Sequence, residues 1–337
     1  MSKRIGVTAD AASRDLHWAR YWSLPERRYS ARALLVAVFL VHPLVTASAC
    51  TLCIGYPEKS AADVLIESWA VALAREDPQQ PFTLVPVEFL KGDDSGVNID
   101  LFLDSRTRRA LAGDPSRTVV IVQEKKGDPW RRLALAGPEY ETMVRRILLV
   151  APQWQGGEGR LKRAEFFLPW FGHEDPAIYD LAYLEIARAP YPVIKRISSV
   201  VAREHIEPIL NRPQYLRWRW LAILMLAHCG DAKDKHDILH AFRDAERFRL
   251  SINLAAWAAA SIEIEGASAV SLIEDRYFAV PDRSDKELKE VFRALSLHGN
   301  EGRIEVRGRI VAAYGKLLAV HPEMSASIAN DLLAWKR

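Results

Sequence analysis

Three helix ends decide the fold of this chain: Leu226-Ala227-His228-Cys229-Gly230, Ile262-Glu263-Ile264-Glu265-Gly266 and Leu295-Ser296-Leu297-His298-Gly299. Each closes an apolar run of helical spacing on a glycine, the residue that most readily takes the backbone conformation that stops a helix. The glycines stand 36 and 33 residues apart. A second helical segment follows each of them, at 235–242, 269–277 and 304–318. Helix pairs recurring at such a period mark an α-solenoid, where each pair buries its apolar face only against its neighbours.

Upstream, Asp175-Pro176 opens a helix with an N-cap and a first-position proline. Ile178, Leu181, Ala182, Ile186 and Ala187 then follow at helical spacing. The Ala189-Pro190 break is an earlier, degenerate counterpart of the glycine stops. The Asp-Pro opening and the small residues at helix crossings resemble HEAT-like repeats over 175–335. That resemblance implies an all-α repeat domain at 163–337 with a long surface that binds protein. Trp218, Trp220 and Trp257 fall inside these helices and read as core, since aromatic side chains dominate packed interiors.

Before residue 151 the pattern changes. Glycines 156, 157 and 159 place a linker at 151–162. Within an expected β domain at 61–150, residues 61–136 alternate with period two, the signature of half-buried strands. Strands are expected at 63–73, 82–90, 97–103, 118–122 and 130–135, with a short helix opening at Ser105 and stopping at Gly113. Pro86 confines the second strand to an edge or a bulge. Three strands, a helix and two strands is the order of an OB-type barrel. The arrangement, together with cysteines at a mature N-terminus, resembles the netrin-like OB domains. The expected architecture is therefore α+β and multidomain: an OB-like β-barrel followed by a HEAT-like helical solenoid.

The N-terminal segment bears on location. Arg27, Arg28 and Arg32 precede the apolar run Leu34-Leu35-Val36-Ala37-Val38-Phe39-Leu40-Val41, and Ala47-Ser48-Ala49 stands before Cys50. A basic region, a short apolar region and small residues at −3 and −1 are the parts of a secretory signal peptide. Residues 1–49 are expected to be that signal, with an unusually long basic region. The run is shorter than the ~20 residues a spanning helix needs. Ala-Ser-Ala-Cys also resembles a bacterial lipobox, which would lipidate Cys50 and anchor the chain to a membrane. Plain cleavage and lipidation both remain open. The expected location is the bacterial cell envelope, periplasmic or lipid-anchored, with residues 50–60 as a cysteine-containing mature N-terminus.

Seven of the 46 Lys and Arg residues and three of the 43 Asp and Glu residues fall within 1–49, so the rest of the chain is nearly neutral. A nucleic-acid binder carries a basic surplus, so no nucleic-acid partner is expected. Arg106, Arg108 and Arg109 would be the basic contribution of an OB surface to an oligonucleotide or sugar. Cys50-x-x-Cys53 offers a disulfide, a lipidation site or a redox pair. His236-Asp237-Ile238-Leu239-His240 puts two imidazoles one helical turn apart, the spacing of zinc-protease helices, but with Asp237 where the general-base glutamate belongs. His236 and His240 are the metal-ligand candidates. No catalytic residue and no cofactor is expected. The reading is a non-enzymatic binding or scaffold protein with a protein or envelope partner. A metal-dependent hydrolase or a thiol-redox protein is the alternative.

Overall fold

A computed structural model describes residues 57–92, 99–301 and 303–335. The expected signal at 1–49 and both Cys50 and Cys53 lie outside the described residues. The first element is a helix, α1 (Ala61–Glu67), where the alternation predicted a strand from residue 63. Ser60 decides it. Its hydroxyl accepts from the Asp63 N–H at 3.1 Å and its own N–H donates to the Asp63 carboxylate at 2.9 Å. This reciprocal cap satisfies two of the first-turn donors that a helix otherwise leaves open.

Four strands follow: β1 (Ala70–Glu76), β2 (Leu84–Lys91), β3 (Thr118–Gln123) and β4 (Arg131–Ala136), with α2 (Ser105–Gly113) between β2 and β3. Every pairing is antiparallel and the order is β2-β1-β3-β4. The sheet is open, not the closed barrel expected of an OB fold. The reason lies in the expected third strand. Its described part, residues 99–104, has no strand partner and instead lays Ile99 and Leu103 on one sheet face with Ala72, Val119, Ile121 and Trp130. The opposite face, Val71, Leu73, Val120 and Val122, is covered by α1 and by α3 (Pro138–Val150) through Leu65, Met143, Val144 and Ile147. Helices and an extended segment thus bury both faces, and strand curling is not required to do so.

The C-terminal part is helical. A 3-10 turn (Ala151–Trp154) and α4 (Gly159–Phe167) occupy most of the span expected to be a linker. Then come α5 (Pro176–Ala187), α6 (Tyr191–Ser198), α7 (Arg203–Asn211), α8 (Arg219–Cys229), α9 (Ala232–Arg247), α10 (Leu254–Glu265), α11 (Ala267–Ile273), α12 (Asp285–Glu301), α13 (Ile304–Val320) and α14 (Ser325–Trp335). Asp175 caps α5 as the sequence predicts, accepting from the Ala177 N–H at 2.8 Å. Helices α8, α10 and α12 pack side by side, and each also packs against the helix that follows it. Gly230 and Gly266 end α8 and α10 as expected. Gly299 does not end α12. It sits inside the helix, where an added Cβ would lie 2.0 Å from the Trp335 ring, so close packing of α14 is its role.

One apolar cluster runs without a break from Val71 and Leu73 through Met143 and Phe167 to Leu224, Leu295 and Ile328. Trp218 is buried in it, and Trp220 and Trp257 pack against it, as their helical positions predict. Among the described residues, no helix is long and apolar enough to cross a membrane.

Candidate functional site

The two histidines singled out by spacing lie on α9 and both are exposed, with ring centroids 6.4 Å apart. His240 Nδ1 faces the Asp244 carboxylate at 3.0 Å, and Asp237 accepts from Lys233 at 2.6 Å. Asp237, in the place of a general base, is thus already held by a cation. Among the described residues, no group of three His, Cys, Asp or Glu is placed to hold a metal ion. Cys229 is half-buried, and burial pushes its thiol above the ordinary range. Such a thiol is mostly protonated and a poor nucleophile. The arginines of α2 are largely spent within the protein. Arg108 pairs with Glu76 and Arg109 donates to the Ser105 carbonyl at 3.2 Å, while Arg106 is exposed.

A different set of residues converges. The last turns of α8, α10 and α12 bring His228, Glu263 and His298 against α6, which adds Tyr191 from its start and Lys195 from its last turn. Glu263 is the hub. Its carboxylate accepts from the Tyr191 hydroxyl at 3.0 Å and from Lys195 at 2.7 Å. Burial pushes its pKa up, yet the hydrogen bond and charge of Lys195 hold the group below the ordinary carboxylate range. His298 Nε2 lies 2.8 Å from the Ala259 carbonyl. A carbonyl can only accept, so Nε2 carries the proton and Nδ1 of the neutral ring is a bare acceptor. That Nδ1 faces Glu263 Oε2 at 3.9 Å.

The same logic fixes His228. The Tyr191 hydroxyl proton goes to Glu263, so His228 Nε2, 3.3 Å away, donates to the tyrosine oxygen. Its Nδ1 then faces Glu263 Oε1 at 3.8 Å. Two imidazole lone pairs therefore look at one carboxylate. Burial is the main cause that keeps both rings neutral, and it lowers His298 to about 4. A carboxylate already held by a lysine and a tyrosine makes a weak base, because good general bases titrate near the working pH. The arrangement ties four helices together and stores a response to acid.

At one edge of the helical layers lies the loop 248–253 between α9 and α10. Arg249 and Asn253 both take left-handed backbone, φ 53° and 56°. This is uncommon outside glycine and requires support from neighbours. Arg249 supplies that support by donating to the Asp282 carbonyl and carboxylate, both at 2.8 Å. Between these points Phe248, Leu250 and Ile252 project into solvent with 59%, 50% and 72% of their surface exposed. Sequence reading missed this loop. Its available signal was three large apolar residues in alternation between two helices, outside any strand.

No family model, curated protein or solved structure matches the chain.

Proposed function

We propose that this protein is an exported, non-enzymatic scaffold of the bacterial cell envelope that binds a protein partner through the 248–253 loop. Exposure of Phe248, Leu250 and Ile252 on a fixed backbone carries the reading. A loop whose conformation is set in advance loses less freedom on binding, and clustered exposed apolar residues mark interaction surfaces. The stacked helix pairs support a HEAT-like arrangement, which exposes long edges and ridges to partner proteins. Arg243 and Arg247 are exposed beside the loop, so the partner groove should be apolar with an acidic rim.

Export rests on the signal at 1–49, with cleavage between Ala49 and Cys50, either plain or followed by anchoring through an acylated Cys50. Mass spectrometry of the envelope-purified protein should show Cys50 as its first residue. Retention of residues 34–45 would refute cleavage. A photo-crosslinker at position 252 should trap one partner in intact cells, and Phe248→Ser with Leu250→Ser should abolish that product while leaving the far-UV spectrum unchanged. An undiminished product in the double variant, or binding of the purified chain to anionic vesicles that the same substitutions abolish, would refute the protein-docking reading.

A further inference from the structure

Helix α13 buries one side and leaves an apolar seam on the other. Val306, Ile310, Ala313, Tyr314 and Leu317 face the interior. Ile304, Val311 and Leu318 face outward, with 75%, 43% and 45% of their surface exposed. They stand seven residues apart. Seven residues are two helical turns within about 20°, so the three side chains form one line roughly 21 Å long. This is the spacing of a seam between paired helices. Gly308 and Gly315 alternate with them along the same line, and a Cβ added at either would meet nothing within 4 Å. Glycine is the poorest helix former after proline, and nothing among the described residues requires it at either place. Close approach of another backbone to this side would use both.

The charges on the rim of the seam say which backbone. Glu305 and Lys316 are exposed, and neither has an ion pair among the described residues. They are 11 residues apart, which is three turns within about 20°, so both lie on the same edge of the seam. Val311 is midway between Ile304 and Leu318, and the midpoint between Glu305 and Lys316 falls within one residue of it. A second copy of α13, turned about a two-fold axis through Val311, therefore lays its Leu318 on Ile304 and its Lys316 beside Glu305, and the symmetry repeats both contacts. In a parallel pair the two charges would stand about 16 Å apart along the helices and could not meet. The nearby arginines do not compete. Arg307 Nε donates to the Gly299 carbonyl at 2.5 Å, and Arg309 pairs with Glu274 at 2.7 Å.

We propose that α13 joins two copies of this chain in an antiparallel, two-fold dimer. Val311 packs on its own counterpart at the axis, and the self-complementary patch is what an isologous contact requires. The glycines let the two backbones come close, and the two Glu305–Lys316 pairs fix direction and register. One helix pair buries less than the roughly 1,200–2,000 Å² of stable complexes, so a dissociation constant on the order of 10–100 µM is expected. The chain is monomeric when dilute and dimeric when concentrated.

Sedimentation equilibrium on the purified chain, from about 1 to about 300 µM, tests this by mass action. Wild type should pass from monomer to dimer over that range. Val311→Arg, which sets two like charges on the axis, should weaken the dimer at least about tenfold. Gly308→Ala with Gly315→Ala should weaken it by about tenfold, although each alanine favours the helix itself. Below the association range only that gain to the helix remains. Glu305→Lys should weaken the dimer about threefold or more, and adding Lys316→Glu should restore it, because both pairs are then remade with their signs exchanged. Phe248→Ser with Leu250→Ser should leave the dimer unchanged, which separates this contact from the 248–253 loop. All these positions are exposed, and an unchanged far-UV spectrum shows that each variant folds. A wild type monomeric throughout, a dimer that tolerates Val311→Arg or the two alanines, a charge exchange that does not restore pairing, or loss of the dimer in the loop variant would each overturn the proposal.

Discussion

Arg163 donates to Asp63 at 2.6 Å across 100 residues of chain. The same guanidinium holds Glu185 at 2.6 Å, and Arg188 approaches the other Asp63 oxygen at 2.5 Å. Burial pushes the Asp63 pKa up, but Arg188, the Ser60 N–H and Arg163 outweigh it and hold the carboxyl at about 2. The helix that opens the sheet region is thereby fastened to α4 and α5. Arg163→Met would leave the buried Glu185 carboxylate without its cation and Asp63 with Arg188 alone. Removing one partner of a buried pair costs ~3–5 kcal/mol. Arg163 keeps a quarter of its side chain exposed, so about 2–3 kcal/mol is expected here. Urea unfolding checks this, and a loss below 0.5 kcal/mol would contradict it.

Leu224 is fully buried in the apolar cluster that also contains Val71 and Leu73 of the sheet. Leu224→Ala should cost ~2–5 kcal/mol, the range for core leucines whose cavity does not collapse. The shared cluster further implies that sheet and helices lose protection together. Hydrogen exchange should show amides of β1 and β3 weakened as much as those of α8. Limited proteolysis should spare residues 151–162. Two fragments folded independently after a cut there would instead support the linker that the glycines suggest.

The Glu263 centre sets an acid response. The ordinary histidine value is 6.5, and in the folded protein His298 titrates at about 4. A base whose folded pKa is depressed contributes stability that is complete above 6.5 and drains as pH falls toward 4. His228, shifted the same way by burial, and Glu263, held low beside Lys195, act in the same direction. The remaining charged neighbours of the two rings, Lys195 and Lys235, disfavour their protonation further. Between pH 6.5 and 4 each additional proton bound by the unfolded chain steepens the loss by about 1.4 kcal/mol per pH unit. Denaturation midpoints measured from pH 7.5 to 4 should fall, and His298→Gln should flatten the slope. An unchanged slope in that variant would refute the assignment.

Gly308 and Gly315 lie on the exposed side of α13, and a Cβ added at either would meet nothing within 4 Å. Alanine exceeds glycine in an exposed helix interior by roughly 0.5–1 kcal/mol. Gly308→Ala with Gly315→Ala should therefore raise stability by about 1–2 kcal/mol. Calorimetric melting checks this. A destabilised double variant would mean that another chain approaches this face in solution, which ultracentrifugation would reveal.

The helical half was legible because its apolar period is long and its stops are chemical. Asp175 caps its helix and Gly266, at φ 61°, stops its own as their residue types predict, whereas Gly230 ends α8 in extended backbone and its lack of a side chain serves the close approach of the Leu226 carbonyl. Gly299 shows the limit: the spacing matched, but its use is the approach of Trp335. Four of the five expected strands have counterparts in the sheet, but the first starts at Ala70 after a helix, the third is not a strand in its described part, and the sheet does not close. Alternation reports that one face of a segment is buried, and residues 99–104 bury Ile99 and Leu103 without joining a ladder. The Ser60-Asp63 cap has a sequence signal of its own, a serine three residues before an acidic residue, which a reading by alternation alone passes over. The Glu263 centre could not be read, because its members are up to 107 positions apart and only packing joins them. Each of its histidines nonetheless stands within two residues of a glycine already noted.

An open sheet has two rims, and among the described residues no further strand pairs with β2 or β4; an unpaired rim is a template on which the same strand of another molecule can grow a fibre. The β2 rim carries Pro86, which offers no N–H, and a slip of register opposite Leu73 and Ala74. At the β4 rim, Arg131 and Arg132 place two charges at the entry of the strand. A closed barrel would have avoided polymerisation by having no rim. Here that safeguard depends on a few individual side chains, and Pro86 is the one whose loss would most directly open a path to end-to-end assembly.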